Sequence, residues 1–116
     1  MKVSCEFHYD SAHWLTRVPE GHKCGRMHGH TYRLIVTVNG PIEPDGFVID
    51  FTDLKDVVDP VIDKLDHHVL NDIIGNPTVE NQLVWLWENI DIHSLCELTL
   101  YEGLTNSATY DGILTA

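Results

Sequence analysis

"HGHTYRLIVTV", residues 28–38, alternates without a break. His28, His30, Tyr32, Leu34, Val36 and Val38 fall on one face; Thr31, Arg33, Ile35 and Thr37 fall on the other. A period of two is the mark of a strand, because successive side chains point to opposite sides of a sheet. Residues 2–9 repeat the pattern, with Val3, Cys5, Phe7 and Tyr9 opposite Ser4, Glu6 and His8. Between these strands, residues 10–27 carry Pro19, Gly21 and Gly25 and read as a long loop. Loops of that length in small domains are often functional.

Working onward from residue 38, "NGP" and "PDG" mark turns, and "FVIDF" reads as a short extended piece. A first helix is expected from a cap at Thr52 or Asp53 to about Leu65. Leu54, Val57, Val58, Val61, Ile62 and Leu65 lie along one side, and Pro60 predicts a kink or break. "DHHVLNDIIGNP" is a connection. A second helix begins near Thr78, a good N-cap residue, with Leu83, Leu86, Trp87 and Ile90 at helical spacing. Residues 95–102 and 107–114 read as a closing antiparallel pair. The order strand, strand, helix, helix, strand, strand implies one α+β domain over 1–116. It is a four-stranded antiparallel sheet with two helices on one side. Such a sheet has two free edges, and pairing with other subunits is one way to cover them.

The chain has 116 residues, 43% of them apolar, and a formal net charge of −11. That acidity argues against nucleic acid and anionic membrane as partners, since both need a basic patch. No apolar run approaches the roughly 20 residues of a membrane span. "MKVSCEFHYD" lacks the apolar core of a secretory signal, so a cytoplasmic protein is expected. Cys5, Cys24 and Cys96 are odd in number and unpaired in spacing, which suits free thiols in a reducing compartment. Arg17, Lys23 and Arg26 cluster around "PEGHKCGRMHGH", residues 19–30, where they reverse the overall charge locally.

His28 and His30, two apart on a strand, project from one face and can meet one ion. The pair alone is a weak signal. A third ligand is sought in His13, which follows the first strand, with His22 and His8 as competitors. Three histidines would leave a fourth position open, the pattern of catalytic rather than structural zinc. A structural Cys/His site fits poorly, because no cysteine has a CxxC partner. Cys24, four residues before His28, sits near Lys23 and Arg26. Cations there would favour its thiolate, making it a candidate base. Glu102 ends a strand face otherwise built from Cys96, Leu98 and Leu100. Either it reaches solvent, or it meets a ligand with two parallel N–H donors, such as the 2-amino and N3–H edge of a pterin or guanine. Asp66 precedes His67 and His68 and could orient an imidazole, although "LDHHVLN" also fits a helix end with two surface histidines.

Taken together, "YDSAHWL", "CGRMHGH", "GFVIDFTDLK", "LDHHVLN", "NPTVEN" and "YEGLTNSATY" resemble the 6-pyruvoyl-tetrahydropterin synthase / 6-carboxy-5,6,7,8-tetrahydropterin synthase family, in family order and over nearly the whole chain. Tyr9 stands where the family usually has Phe, and Gly103-Leu104 follow Glu102 where Thr is often first. Three residues between Cys24 and His28, rather than five, resemble the carboxy-forming enzymes of queuosine biosynthesis. The resemblance implies a T-fold (tunnelling fold), in which sheets join edge to edge into a barrel and two trimers stack into a hexamer. It implies His13, His28 and His30 as ligands of one Zn2+ per subunit. Cys24 would be the catalytic base, Asp66 and His67 a second proton-transfer group, and Glu102 the pterin anchor. Thr78 and Glu80 would approach the pterin from a neighbouring subunit. The implied reaction is lyase conversion of 7,8-dihydroneopterin triphosphate to 6-carboxy-5,6,7,8-tetrahydropterin, acetaldehyde and triphosphate. Lys23 and Arg26 are the candidates for phosphate contact. Triphosphate elimination of the pyruvoyl-forming type and a non-catalytic pterin- or metal-binding module are the alternatives.

Overall fold

The computed structural model describes residues 1–115. Strands β1 (Lys2–His13), β2 (His28–Asn39), β3 (Leu95–Glu102) and β4 (Asn106–Tyr110) form one sheet in the order β1-β2-β3-β4, antiparallel throughout. Helices α1 (Phe51–Asp63) and α2 (Val79–Asn89) lie between β2 and β3 in sequence. Short 3-10 turns occur at Lys23–Gly25 and Leu70–Asp72.

One face of the sheet carries the apolar half of each alternation. Phe7, Tyr9, Tyr32, Leu34, Val36, Val38, Leu98 and Leu100 are buried against Leu54, Val58, Val61 and Ile62 of α1 and Leu83 and Leu86 of α2. Burying side chains of this size contributes about 1.5–3 kcal/mol each. Among the described residues the other face has no helix, and it carries polar cross-strand pairs. The Arg33 guanidinium donates to Glu6 at 3.0 Å and lies 4.1 Å over the Tyr101 ring; Ser4 and Thr37 hydroxyls meet at 2.8 Å. Among the described residues no helix is long and apolar enough to cross a membrane.

Several boundaries differ from the sequence reading. β1 does not stop at Tyr9 but runs to His13, because the period of two continues through buried Ser11 and His13. The first helix is capped by Asp50, whose carboxylate accepts from the Thr52 N–H at 2.9 Å, and it ends at Asp63. It passes through Pro60 without a break; Pro60 is exposed, so the missing hydrogen bond faces water. "FVIDF" is not a strand: it is irregular up to the start of α1. β4 is shorter than expected and ends at Tyr110. Gly103, at φ 67, adopts the left-handed conformation of the turn between β3 and β4, which explains a glycine after Glu102.

Candidate functional site

The helix-facing side of the sheet changes character toward one end. On β1 the inward series Phe7, Tyr9 gives way to Ser11 and His13; on β2 the series Leu34, Tyr32 gives way to His30 and His28. His13 pairs directly with His28, and Ser11 with His30, so the strand register alone gathers three imidazoles. Their ring centroids lie 4.6, 4.8 and 5.2 Å apart, with the rings edge-on to one another.

Hydrogen bonds fix the tautomers of two of them. His13 Nδ1–H donates to the Pro77 carbonyl at 2.8 Å, and His28 Nδ1–H donates to the Arg26 carbonyl at 2.6 Å. A carbonyl can only accept, so in each neutral ring the proton sits on Nδ1 and the Nε2 lone pair is free. Those two Nε2 atoms face each other at 3.0 Å. Two lone pairs at that distance repel unless a cation lies between or beside them. His30 Nε2 is buried with no hydrogen-bond partner; the Glu102 carboxylate is 3.4 Å away but not in hydrogen-bonding geometry. Burial holds the His13 imidazole below its ordinary pKa, which favours the neutral, metal-binding form. Three converging nitrogen donors, with carbonyls orienting two of the rings, can hold a metal ion.

Cys24 lies in the 3-10 turn beside this cluster. The Cys24 carbonyl accepts from Leu15 N–H at 2.7 Å, and the His22 Nδ1 accepts from Cys24 N–H at 3.0 Å. The first bond pins the turn to the chain just past β1, and the second caps the turn from within. Cys24, Lys23, His28, His30, Glu102 and Asn106 line one cavity of about 570 Å³, within the roughly 300–1,000 Å³ range of small-molecule sites. Arg26 does not line it; it borders a separate recess with Trp14 and Leu15, although its carbonyl holds His28.

Asp66 and His67 stand elsewhere. Residues 65–69 dock along the free edge of β1: Ser11 Oγ donates to the Leu65 carbonyl, His67 N–H to the Asp10 carbonyl, and Ala12 N–H to the His68 carbonyl. Asp66 Oδ1 accepts from the Asp10 N–H at 2.9 Å, and Oδ2 meets His67 Nδ1 at 2.9 Å. The Asp10 N–H, then His67, hold the Asp66 carboxyl below its usual value, and the bond to Asp66 raises His67. His67 sits at φ 57, a conformation sparsely populated by residues other than glycine. His67 borders a recess lined by Asp10, Ser11, Ala12, Gly29, His30 and Thr31, residues of both parities at one end of β1 and β2. Within one chain, then, Asp66 and His67 form a group separate from the three imidazoles and do not line the Cys24 cavity, although Gly29 and His30 border both spaces. Thr78 caps α2 by accepting from Asn81 N–H at 3.1 Å, and Glu80 is exposed in the first turn.

The family model for 6-pyruvoyl tetrahydropterin synthase matches residues 2–113. The chain belongs to the 6-pyruvoyl tetrahydropterin synthase family. Within it, the chain is 43% identical over 101 residues to the dihydroneopterin monophosphate aldolase of Pyrococcus furiosus, covering 82% of this chain and 83% of that one. It is 34% identical over 116 residues to the 6-carboxy-5,6,7,8-tetrahydropterin synthase of Synechocystis sp., covering 90% and 88%. The structure of the Caenorhabditis elegans 6-pyruvoyl tetrahydropterin synthase superposes with a TM-score of 0.87 at 25% identity, covering 97% and 96%. The T-fold expected from the motifs is therefore the fold of the chain.

Sequence reasoning missed Asp10, Tyr9, Pro77 and Gln82. Gln82 carried a readable signal: it is an amide on the same helical stripe as Val79 and Leu86. Pro77 contributes only a carbonyl, which no side-chain pattern reveals.

Proposed function

We propose that the chain is a zinc-dependent carbon–carbon lyase acting on 7,8-dihydroneopterin triphosphate, yielding 6-carboxy-5,6,7,8-tetrahydropterin, acetaldehyde and triphosphate. The observation that carries this reading is one cavity bordered by His28, His30, a thiol at Cys24 and a carboxylate at Glu102, with buried His13 converging on the two imidazoles from behind. Zinc bound by the three imidazoles would supply a Lewis acid that lowers the pKa of the substrate's side-chain hydroxyls. Cys24 as thiolate removes a proton from the side-chain carbon next to the ring. Glu102 accepts from the 2-amino and N3–H groups of the pterin and fixes its register. Asp66 orients His67, which handles the returning proton during retro-aldol cleavage. Lys23 and Arg26 neutralise the phosphates, with Thr78 and Glu80 near the pterin.

Because Asp66 and His67 do not line the cavity that Cys24 and Glu102 line, a complete site calls for a second subunit. The free edge of β4 suits such an assembly, and we read it as a hexamer of two trimers with sites between subunits. The reaction would be an early cytoplasmic step toward queuosine or another 7-deazaguanine.

One observation favours a second reading: the 43% identity to a dihydroneopterin monophosphate aldolase. Retro-aldol cleavage of the monophosphate would use the same thiol, carboxylate and imidazoles. Incubating purified protein separately with the two substrates decides between them. Acetaldehyde and triphosphate from the triphosphate substrate support the first reading. Turnover of the monophosphate alone, with release of a phosphorylated aldehyde, supports the second. Triphosphate release without acetaldehyde indicates pyruvoyl-type elimination, and no turnover of either ends the lyase proposal. Cys24→Ala should lower turnover by about 10²–10⁴-fold while keeping its zinc, and His28→Ala should lose the metal. Near-stoichiometric zinc in His28→Ala would rule out the ligand set.

A further inference from the structure

Gln82 is fully buried in the middle of the apolar stripe of α2. An amide there costs about 1–3 kcal/mol unless its hydrogen bonds are made, and two are made. Its Oε1 accepts from the Tyr9 hydroxyl at 2.8 Å, and its Nε2 donates to the Pro77 carbonyl at 3.0 Å. That same carbonyl accepts from His13 Nδ1–H at 2.8 Å. A carbonyl oxygen has two lone pairs, and both are now engaged.

Pro77 precedes Thr78, the cap of α2, and among the described residues no main-chain donor reaches its carbonyl. Two side chains therefore hold it: His13, the group to be oriented, and Gln82. Gln82 is in turn held by Tyr9, whose ring stacks on Tyr32 with centroids 4.9 Å apart. The Tyr32 hydroxyl lies 3.4 Å from His13 Nδ1, so the imidazole is enclosed by this network on its buried side. Orienting groups of this kind typically change metal affinity 10–100-fold when removed.

We propose that Gln82 is a positioning residue for the metal centre: with Tyr9 it fixes the Pro77 carbonyl, and through that carbonyl the ring orientation and tautomer of His13. The inference rests on the reading of His13, His28 and His30 as metal ligands. It assigns to α2 a task beyond core packing, transmitted through one peptide oxygen.

The test compares Tyr9→Phe with Tyr9→Phe/Gln82→Met, a pair in which the second change orphans no hydroxyl. Zinc dissociation constants come from competition with a chelator on the full chain. The state of the His13 ring comes from 15N NMR of the metal-free protein. The double variant should bind zinc about 10–100-fold more weakly than Tyr9→Phe, and its His13 should lose the dominance of the Nδ1–H tautomer. A core-filling role alone would lower the melting temperature and leave both readouts unchanged, and that result overturns the proposal. If the double variant does not fold, Gln82→Asn, whose shorter amide cannot span Tyr9 and Pro77, gives the same two readouts. A parent protein that binds no zinc would sink the metal reading itself. A parent that binds zinc, with variants of equal affinity, would sink only the role of Gln82.

Discussion

Tyr9→Phe removes one oxygen from the interior, and the structure sets its cost. Tyr9 is 1% exposed and Gln82 0%. The hydroxyl donates to Gln82 Oε1 at 2.8 Å, so the variant leaves a buried acceptor without its donor. Orphaning such a group costs about 1–3 kcal/mol. The ring keeps its place and Gln82 keeps its Nε2 bond to the Pro77 carbonyl, which places the value in the lower half, about 1–2 kcal/mol. A chain of 116 residues has an unfolding entropy of about 0.24 kcal/mol/K. The melting temperature should therefore fall by about 4–8 °C. Calorimetry must be run at fixed protein and zinc concentration, because ligand binding and subunit association both shift the midpoint. Adding Gln82→Met should recover part of the loss, since neither partner then remains unpaired. A melting temperature within about 1 °C of the parent, or a double variant as unstable as the sum of the singles, would show that the Tyr9–Gln82 bond does not hold the core as described.

Two glycines separate steric clash from backbone strain. Gly112 sits at φ 88, and a Cβ there would lie 2.5 Å from the Trp87 ring; Gly46 sits at φ 91 with nothing within 4 Å. Gly112→Ala should cost about 2–5 kcal/mol and Gly46→Ala about 1–2 in urea unfolding, and equal costs would contradict the Trp87 contact. Asp66→Asn tests the exposed acid–base pair. His67 is raised above 6.5, so its contribution is complete below that value and is lost as pH rises through its folded pKa. Asp66 is lowered from 3.8, so its contribution is complete above that value and is lost as pH falls through its folded pKa. The stability difference between parent and Asp66→Asn should peak between those two ordinary values and stay small, because solvent screens the pair. The His67 NMR midpoint should drop in the variant; an unchanged midpoint would remove Asp66 as the cause of the shift.

The strands and helices were legible where side chains alternate or repeat with clear apolar character, as in Leu34, Val36 and Val38 or Leu83 and Leu86. The reading ended β1 too early at the point where its inward positions turn polar. Ser11 and His13 keep the period of two but not the hydrophobicity that makes the period visible. The imidazole cluster could be read because spacing on a strand maps directly onto a face. Gly103 showed as a departure from the family pattern, and its positive φ supplies the reason. The Pro77 carbonyl could not be read, since a main-chain acceptor has no residue type. Nor could sequence reveal that Asp66 and His67 stand apart from the Cys24 cavity, which depends on how residues 65–69 dock on the edge of β1.

β1 and β2 pair over twelve residues each, joined by a loop of fourteen rather than a tight turn. Nothing at the connection dictates their alignment; the burial of Phe7, Tyr9, Tyr32 and Leu34 does so from a distance. A slip by a single position would send His13, or both His28 and His30, to the wrong side together. Misalignment here cannot yield a half-built centre with proportionally weaker function. Aliphatic residues with no part in the chemistry thus act as proofreaders of it, and their loss would be felt as a fraction of dead molecules rather than as a population of slow ones.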